Sequence, residues 1–132
     1  MHLYPPKHHP RALGVLESVL SRDPDNIKAL FARGYVLRYA AKYAQAEQLF
    51  SRVADLVSAE VVPLLKLEAE EEVAWCASLS GDNTRAVNGL RRVIDSLELL
   101  EGHDERKAQA WWRLGKTLWD QNGGLSNIFA RR

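Results

Sequence analysis

Three copies of one spacing restrict what this chain can fold into more than any other feature. Ala12, Leu16 and Val19 are set as A-x3-L-x2-V; the spacing returns 34 residues later at Ala46, Phe50 and Val53, and 40 after that at Ala86, Leu90 and Val93. Pro24 follows the first copy, and Ser58 takes its place after the second. A second motif is interleaved with the first: Leu30 and Gly34 anticipate Trp111, Leu114 and Gly115. Self-similarity at such a period marks an array of small stacked units, none of which can bury its apolar face alone.

The units read as helical. Leu13, Leu16, Val19 and Leu20 form a helical stripe from Arg11 onward, stopped by Asp23-Pro24-Asp25. Ile27, Leu30, Phe31, Gly34, Leu37 and Tyr39 begin a second helix, and Ala46, Leu49, Phe50, Val53 and Leu56-Val57 make a third. Pro63 opens a long run through Leu79, ended by Ser80-Gly81-Asp82. Thr84 to Leu100 is the fifth, and Asp104 is expected to cap a sixth reaching Gln121. No two-residue alternation suggests a sheet. The expected fold is all-α, six antiparallel helices in hairpins over 11–121, with a flexible leader at 1–10 and an irregular tail at 122–132. Pro5, Pro6 and Pro10 should keep the leader out of a helix.

Composition narrows the function. Aliphatic and aromatic residues make up 46% of the 132-residue chain, enough for a core. The formal net charge of +1 argues against direct nucleic-acid binding or membrane steering. The sum conceals segments: eight basic against five acidic side chains over 1–58, four against nine over 59–102, and six against three over 103–132. That alternation of +3, −5 and +3 suits a mixed-charge protein partner. No run approaches the ~20 apolar residues of a membrane span, and MHLYPPKHHP is no secretory signal. Cys76 stands alone, which excludes an internal disulfide and fits a reducing compartment.

No constellation points to catalysis. Cys76 and His103 invite a nucleophile and base, but Cys76 lies mid-helix beside Trp75 with no turn to form an oxyanion hole. It reads as a buried thiol. Gly123-Gly124 lacks the lysine of a phosphate loop, and Arg91-Arg92 should face solvent. His2, His8 and His9 lack partners for a metal site, and Glu68, Glu70, Glu71 and Glu72 read as a solvated face that could dock a basic partner. No cofactor or metal is expected.

The 34-residue period, with W-x2-L-G in a first helix and A-x3-F in a second, resembles the tetratricopeptide (TPR) repeat from about Pro10 to Gln121. The resemblance implies a right-handed α-solenoid: the second helix of one repeat, two full repeats, and the first helix of another. Small residues (Gly34, Ala46, Ala86, Gly115) would let helices approach and bulky ones fill the rest, so Trp111, Leu114, Gly115 and Leu118 read as scaffold. The middle repeat departs, with Ala74 for the glycine and Glu70 for a large residue, and extra residues near Ser58–Pro63 should lengthen a loop or helix. Two full repeats and two halves suggest a fragment, or a truncated reading, of a longer solenoid.

Carried over by register, a TPR groove would be lined by Lys28, Phe31, Tyr35, Arg38 and Tyr39, then Glu68, Glu71 and Trp75, then Gln109, Trp112, Lys116 and Trp119. Aromatics beside cations suit an extended peptide; the same rings could instead pack internally, or stack RNA bases. A narrower likeness lies in EEEVAWC (70–76), LSGD (79–82), GLRRVIDSLELLEG (89–102) and AWWRLGKTLWD (110–120), which resemble the TPR subunits of fungal superkiller complexes. That implies a cytoplasmic scaffold, with the nucleus as the alternative, joining helicase and WD40 subunits that feed mRNA to the exosome for 3′-to-5′ decay. Rival readings are a small TPR adaptor for chaperone tails, for which the expected asparagine is missing, and an accessory domain of a larger enzyme. An uncovered last helix would also favour self-association.

Overall fold

A computed structural model describes residues 9–57 and 62–124 of the chain. Most of the leader, the insert at 58–61 and the tail from 125 onward lie outside these residues, as do His2 and His8. Six helices are present: α1 (His9–Arg22), α2 (Ile27–Tyr39), α3 (Tyr43–Leu56), α4 (Pro63–Leu79), α5 (Asn83–Glu98) and α6 (Asp104–Gln121). Among the described residues there is no strand.

Local chemistry sets the boundaries. Asp23 precedes a proline, which disfavours helical backbone, so α1 stops at Arg22. Asn26 then caps α2, its side-chain oxygen accepting from the Ala29 amide at 3.0 Å. Contrary to expectation, His9 and Pro10 belong to α1. Proline is tolerated in a first turn, where its missing N–H would have had no helical partner. Asp104 is likewise not a cap: it is the first helical residue, and His103 precedes it in left-handed conformation without a side-chain capping bond.

The two hairpin turns close in the same way 40 residues apart. Ala41 (φ 63°) and Gly81 (φ 94°) take the left-handed position after α2 and α4. The next amides, of Lys42 and Asp82, reach back to the Leu37 and Ala77 carbonyls at 2.8 and 2.9 Å. This is the six-to-one bond that satisfies helix-end carbonyls and reverses the chain. The third such position, Gly123 (φ 82°), ends α6, its amide bonding to the Asp120 carbonyl.

Each helix packs mainly on the ones before and after it, and α4 also touches α6. The core runs as two linked clusters. Leu30, Phe31, Leu37, Ala46, Phe50 and Val53 centre the first; Ala74, Leu90, Val93, Ile94, Leu97, Ala110 and Leu114 centre the second. The small residues Ala46, Ala69, Ala86 and Ala110 are fully buried, as close helix approach requires.

The glycines divide in an informative way. A Cβ on Gly34 would stand 2.8 Å from the Phe50 ring, so that glycine is a seat for the phenyl group. In the next hairpin the small residue has moved across the interface. Ala74 replaces the glycine on α4, and Gly89 on α5 lies against it, with 2.9 Å between a built Cβ and Ala74 Cβ. Gly115, expected to be a close-packing position, is exposed and among the described residues has nothing within 4 Å of a built Cβ, and Trp111 one turn before it is 52% exposed. Both readings as packed scaffold are corrected; Leu114 is buried and Leu118 partly so.

Candidate functional site

The alternate helices α2, α4 and α6 bring their polar and aromatic residues to one belt. Its centre is Arg113 on α6, whose Nη1 lies 2.8 Å from Glu71 Oε2 and 3.0 Å from Glu72 Oε2 on α4. Gln109 donates to the same Glu71 oxygen at 3.0 Å. On one side Arg38 of α2 reaches Glu72, Nε to Oε1 at 3.1 Å, close enough for Coulomb attraction without hydrogen-bond alignment. On the other, Arg106 approaches Glu68 and Glu71 at 3.7 and 3.6 Å. Tyr35 closes the ring of contacts by donating its hydroxyl to Glu68 at 2.9 Å. Three guanidinium groups thus face three carboxylates, and the belt is neutral overall.

Aromatic rings cover this polar layer. Arg38 lies over the Tyr35 and Tyr39 rings at 5.4 and 5.2 Å, and Arg113 over Trp75 at 5.1 Å. Such stacking lets a guanidinium keep its in-plane bonds while its face meets a π-surface. Trp112 tilts against Trp75 at 5.9 Å between ring centroids and stays 61% exposed. Further along α6, Thr117 is buried, sharing a 2.8 Å hydrogen bond with Ser78 of α4 and bonding the Arg113 carbonyl.

The twelve groove positions named from register therefore divide. Tyr35, Arg38, Tyr39, Glu68, Glu71, Trp75, Gln109 and Trp112 meet in the belt. Phe31 does not: it is buried, stacked on Tyr35 and edge-on to Phe50, and belongs to the core. Glu71 and Trp75 are buried too, so they support the face from beneath and do not touch a visitor. Lys28 is exposed, Lys116 pairs with Asp120 on its own helix, and the exposed Trp119 lies against Gly124. Among the described residues no hydrogen bond or ion pair joins these three to the belt.

The acidic run is the largest correction. It is not a solvated face, since Glu71 is fully buried and Glu72 nearly so, while Glu68 and Glu70 are half-buried. The residues missed were its partners, Arg106 and above all Arg113. A signal existed: Glu72 and Arg113 stand two places before Ala74 and Gly115, so opposite charges occupy matching positions of successive first helices. Arg91 and Arg92 are exposed as expected, and Cys76 is buried.

Titration follows from burial. The Tyr35 hydroxyl is held far above its ordinary value of 10.0 by desolvation, then by the Glu72 and Glu68 charges. The Cys76 thiol is pushed up from 9.0 to about 12, mainly by burial and next by Glu72. Both groups are neutral when folded and ionise more readily when unfolded. Their contribution to stability is therefore complete below about pH 9 and is lost as pH rises toward 12. The urea midpoint should fall over that window and fall less in Cys76→Ala and Tyr35→Phe; equal slopes in all three proteins would contradict this linkage.

Outside the belt, an open cleft of about 580 Å³ lies between α3, α4 and α5, edged by Asp55, Glu70, Arg85 and Arg92. Arg85 is held there by a two-pronged bond to Glu47, which raises its pKa, and by Asp82, whose carboxyl Arg85 in turn depresses. Among the described residues no group of three or more histidine, cysteine or acidic side chains could hold a metal ion, and no helix is long and apolar enough to cross a membrane. No protein-family model matches the chain, and no curated protein matches it either.

Proposed function

We propose that this chain is a non-enzymatic helical-repeat scaffold of tetratricopeptide type, binding protein partners along the face of α2, α4 and α6. The observation that carries the reading is the belt itself: alternate helices contribute an aromatic surface that ends in the exposed ring of Trp112. The identical hairpin turns 40 residues apart, and helices that pack chiefly on their sequence neighbours, support the solenoid arrangement.

The electrostatics favour one kind of ligand. Among the described residues, the belt's cations Arg38, Arg106 and Arg113 already face Glu68, Glu71 and Glu72, which offsets their pull on a terminal carboxylate. That speaks against a chaperone-tail adaptor. It suits a partner segment that offers apolar side chains to the rings. The local phrasing of 70–76, 79–82, 89–102 and 110–120 leads us to place the scaffold in a cytoplasmic superkiller-like assembly, with helicase and WD40 proteins as partners in exosome-dependent mRNA decay.

The test is a pull-down with the full chain as bait beside a Trp112→Ala, Trp119→Ala variant. Both tryptophans are exposed, so the variant should fold. Helicase, WD40 and exosome proteins retained by the first and lost from the second are the expected result. Equal retention by both would remove the face from the account; chaperones in their place would remove the assembly.

A further inference from the structure

Among the described residues, both ends of the helix array leave half of a repeated interface open, and the halves match. Within the chain, the second helix of each hairpin seats one or other of two adjacent positions on the small residue of the helix before it. In α3 the Phe50 ring sits on Gly34 of α2; in α5 Gly89 sits on Ala74 of α4. By the repeat, Val15 and Leu16 on α1 correspond to Leu49 and Phe50 and to Gly89 and Leu90, while Gly115 on α6 corresponds to Gly34 and Ala74. Those two sets are the ones left open. Val15 is 60% exposed and Leu16 only half-buried, although Phe50 and Leu90 are completely buried. Gly115 is exposed with nothing within 4 Å of a built Cβ, and Trp111, one turn before it, is 52% exposed.

The chain's own pattern names the occupant. A helix covering α6 as α3 covers α2 needs a small residue 12 places and a bulky apolar one 16 places after Gly115, as Ala46 and Phe50 follow Gly34. Those places hold Asn127 and Arg131. Helix α1 carries the required set, Ala12, Leu16 and Val19. The size rule is kept as well: glycine faces the bulky Phe50 ring at Gly34, alanine faces glycine at Ala74, and Gly115 is open enough for Val15 and Leu16.

We infer that a second copy of this chain docks its α1 on the open face of α6, with Val15 and Leu16 against Gly115 and Trp111, continuing the α2–α3 and α4–α5 interface between molecules. The contact is heterologous, so an open dimer keeps one free α1 and one free α6 and can add further copies. It uses the Trp111–Gly115 stripe and leaves Trp112, against Trp75 on the belt, to other partners, so it stands or falls apart from the binding face proposed above.

Sedimentation equilibrium of the full chain, with Val15→Arg and Gly115→Arg variants, tests it. Both positions are open, so arginine fits the monomer, and circular dichroism should show native helix content in each. Wild-type mass should rise with concentration past the dimer. Each variant alone should associate about tenfold or more weakly, because docking would bury an unpaired charge. An equimolar mixture of the two should form a capped one-to-one dimer, since one keeps a working α1 and the other a working α6. A wild type that stays monomeric would overturn the inference. So would undiminished association of Val15→Arg alone, which would mean α6 pairs with α6. Association gained only after deleting residues 125–132 would mean that the tail covers α6, and would overturn it too.

Discussion

Phe50→Ala is expected to cost about 3–5 kcal/mol, the range for removing a buried phenyl group. The ring is completely buried, edge-on to Phe31 and Tyr35 at 5.7 and 5.1 Å, and its tip fills the space that Gly34 leaves. Three helix-packing contacts therefore end on one side chain, and neither α2 nor α3 can collapse into the void without moving its partner. Chemical denaturation should show the loss as a lower midpoint with the slope unchanged. A loss below about 1 kcal/mol would mean the site relaxes and the packing is looser than drawn. The companion change is Gly34→Ala. Helix propensity alone would reward it by ~1 kcal/mol, yet the new methyl would meet the ring at 2.8 Å. The substitution should destabilise the wild type and turn neutral or favourable in a Phe50→Leu background.

Arg113→Met is the second large effect, about 3–5 kcal/mol, because it strands carboxylates in a buried place. Glu71 and Glu72 are 0% and 2% exposed and share the Arg113 guanidinium. Arg38 and Arg106 remain but approach less favourably, and each carboxylate has one oxygen without a hydrogen-bond partner. Adding Glu71→Gln and Glu72→Gln should recover a good part of the loss, since neutral amides are far cheaper to bury. The exposed Lys116–Asp120 pair is the control, and Lys116→Met should change stability by no more than ~0.5 kcal/mol. An equal cost for the two lysine and arginine changes would show that the belt is not a dry ion cluster.

These two sites mark the difference between what the sequence made legible and what it hid. Helix positions were readable because turn chemistry is local. Pro63 and Leu79 bound α4, Ile27 opens α2 and Gln121 ends α6, each as the pattern indicates. The Phe50 seat was readable as well, since a glycine recurring inside a helix calls for a close neighbour. Periodicity failed on charge. A run of four glutamates within five residues looks solvated, and only α2 and α6, on either side of α4, supply the arginines that make burial affordable. It failed likewise at Gly115, where the motif is present but, among the described residues, no side chain comes within 4 Å of a built Cβ. Repeat motifs report what a position can accept, whereas burial depends on which surface arrives.

The central claim is that protein partners meet this chain on the α2, α4 and α6 face, at the rings above the ion cluster. Site-specific photo-crosslinking in cells tests it most directly, with a benzophenone amino acid placed at position 112 on that face or at position 92 on the α5 side. Both positions are exposed, so neither probe should disturb the fold. The account predicts a discrete crosslinked partner from position 112 and none from position 92. Crosslinks from position 92 with silence at 112 would contradict it, and would move the binding surface to the cleft between α3, α4 and α5.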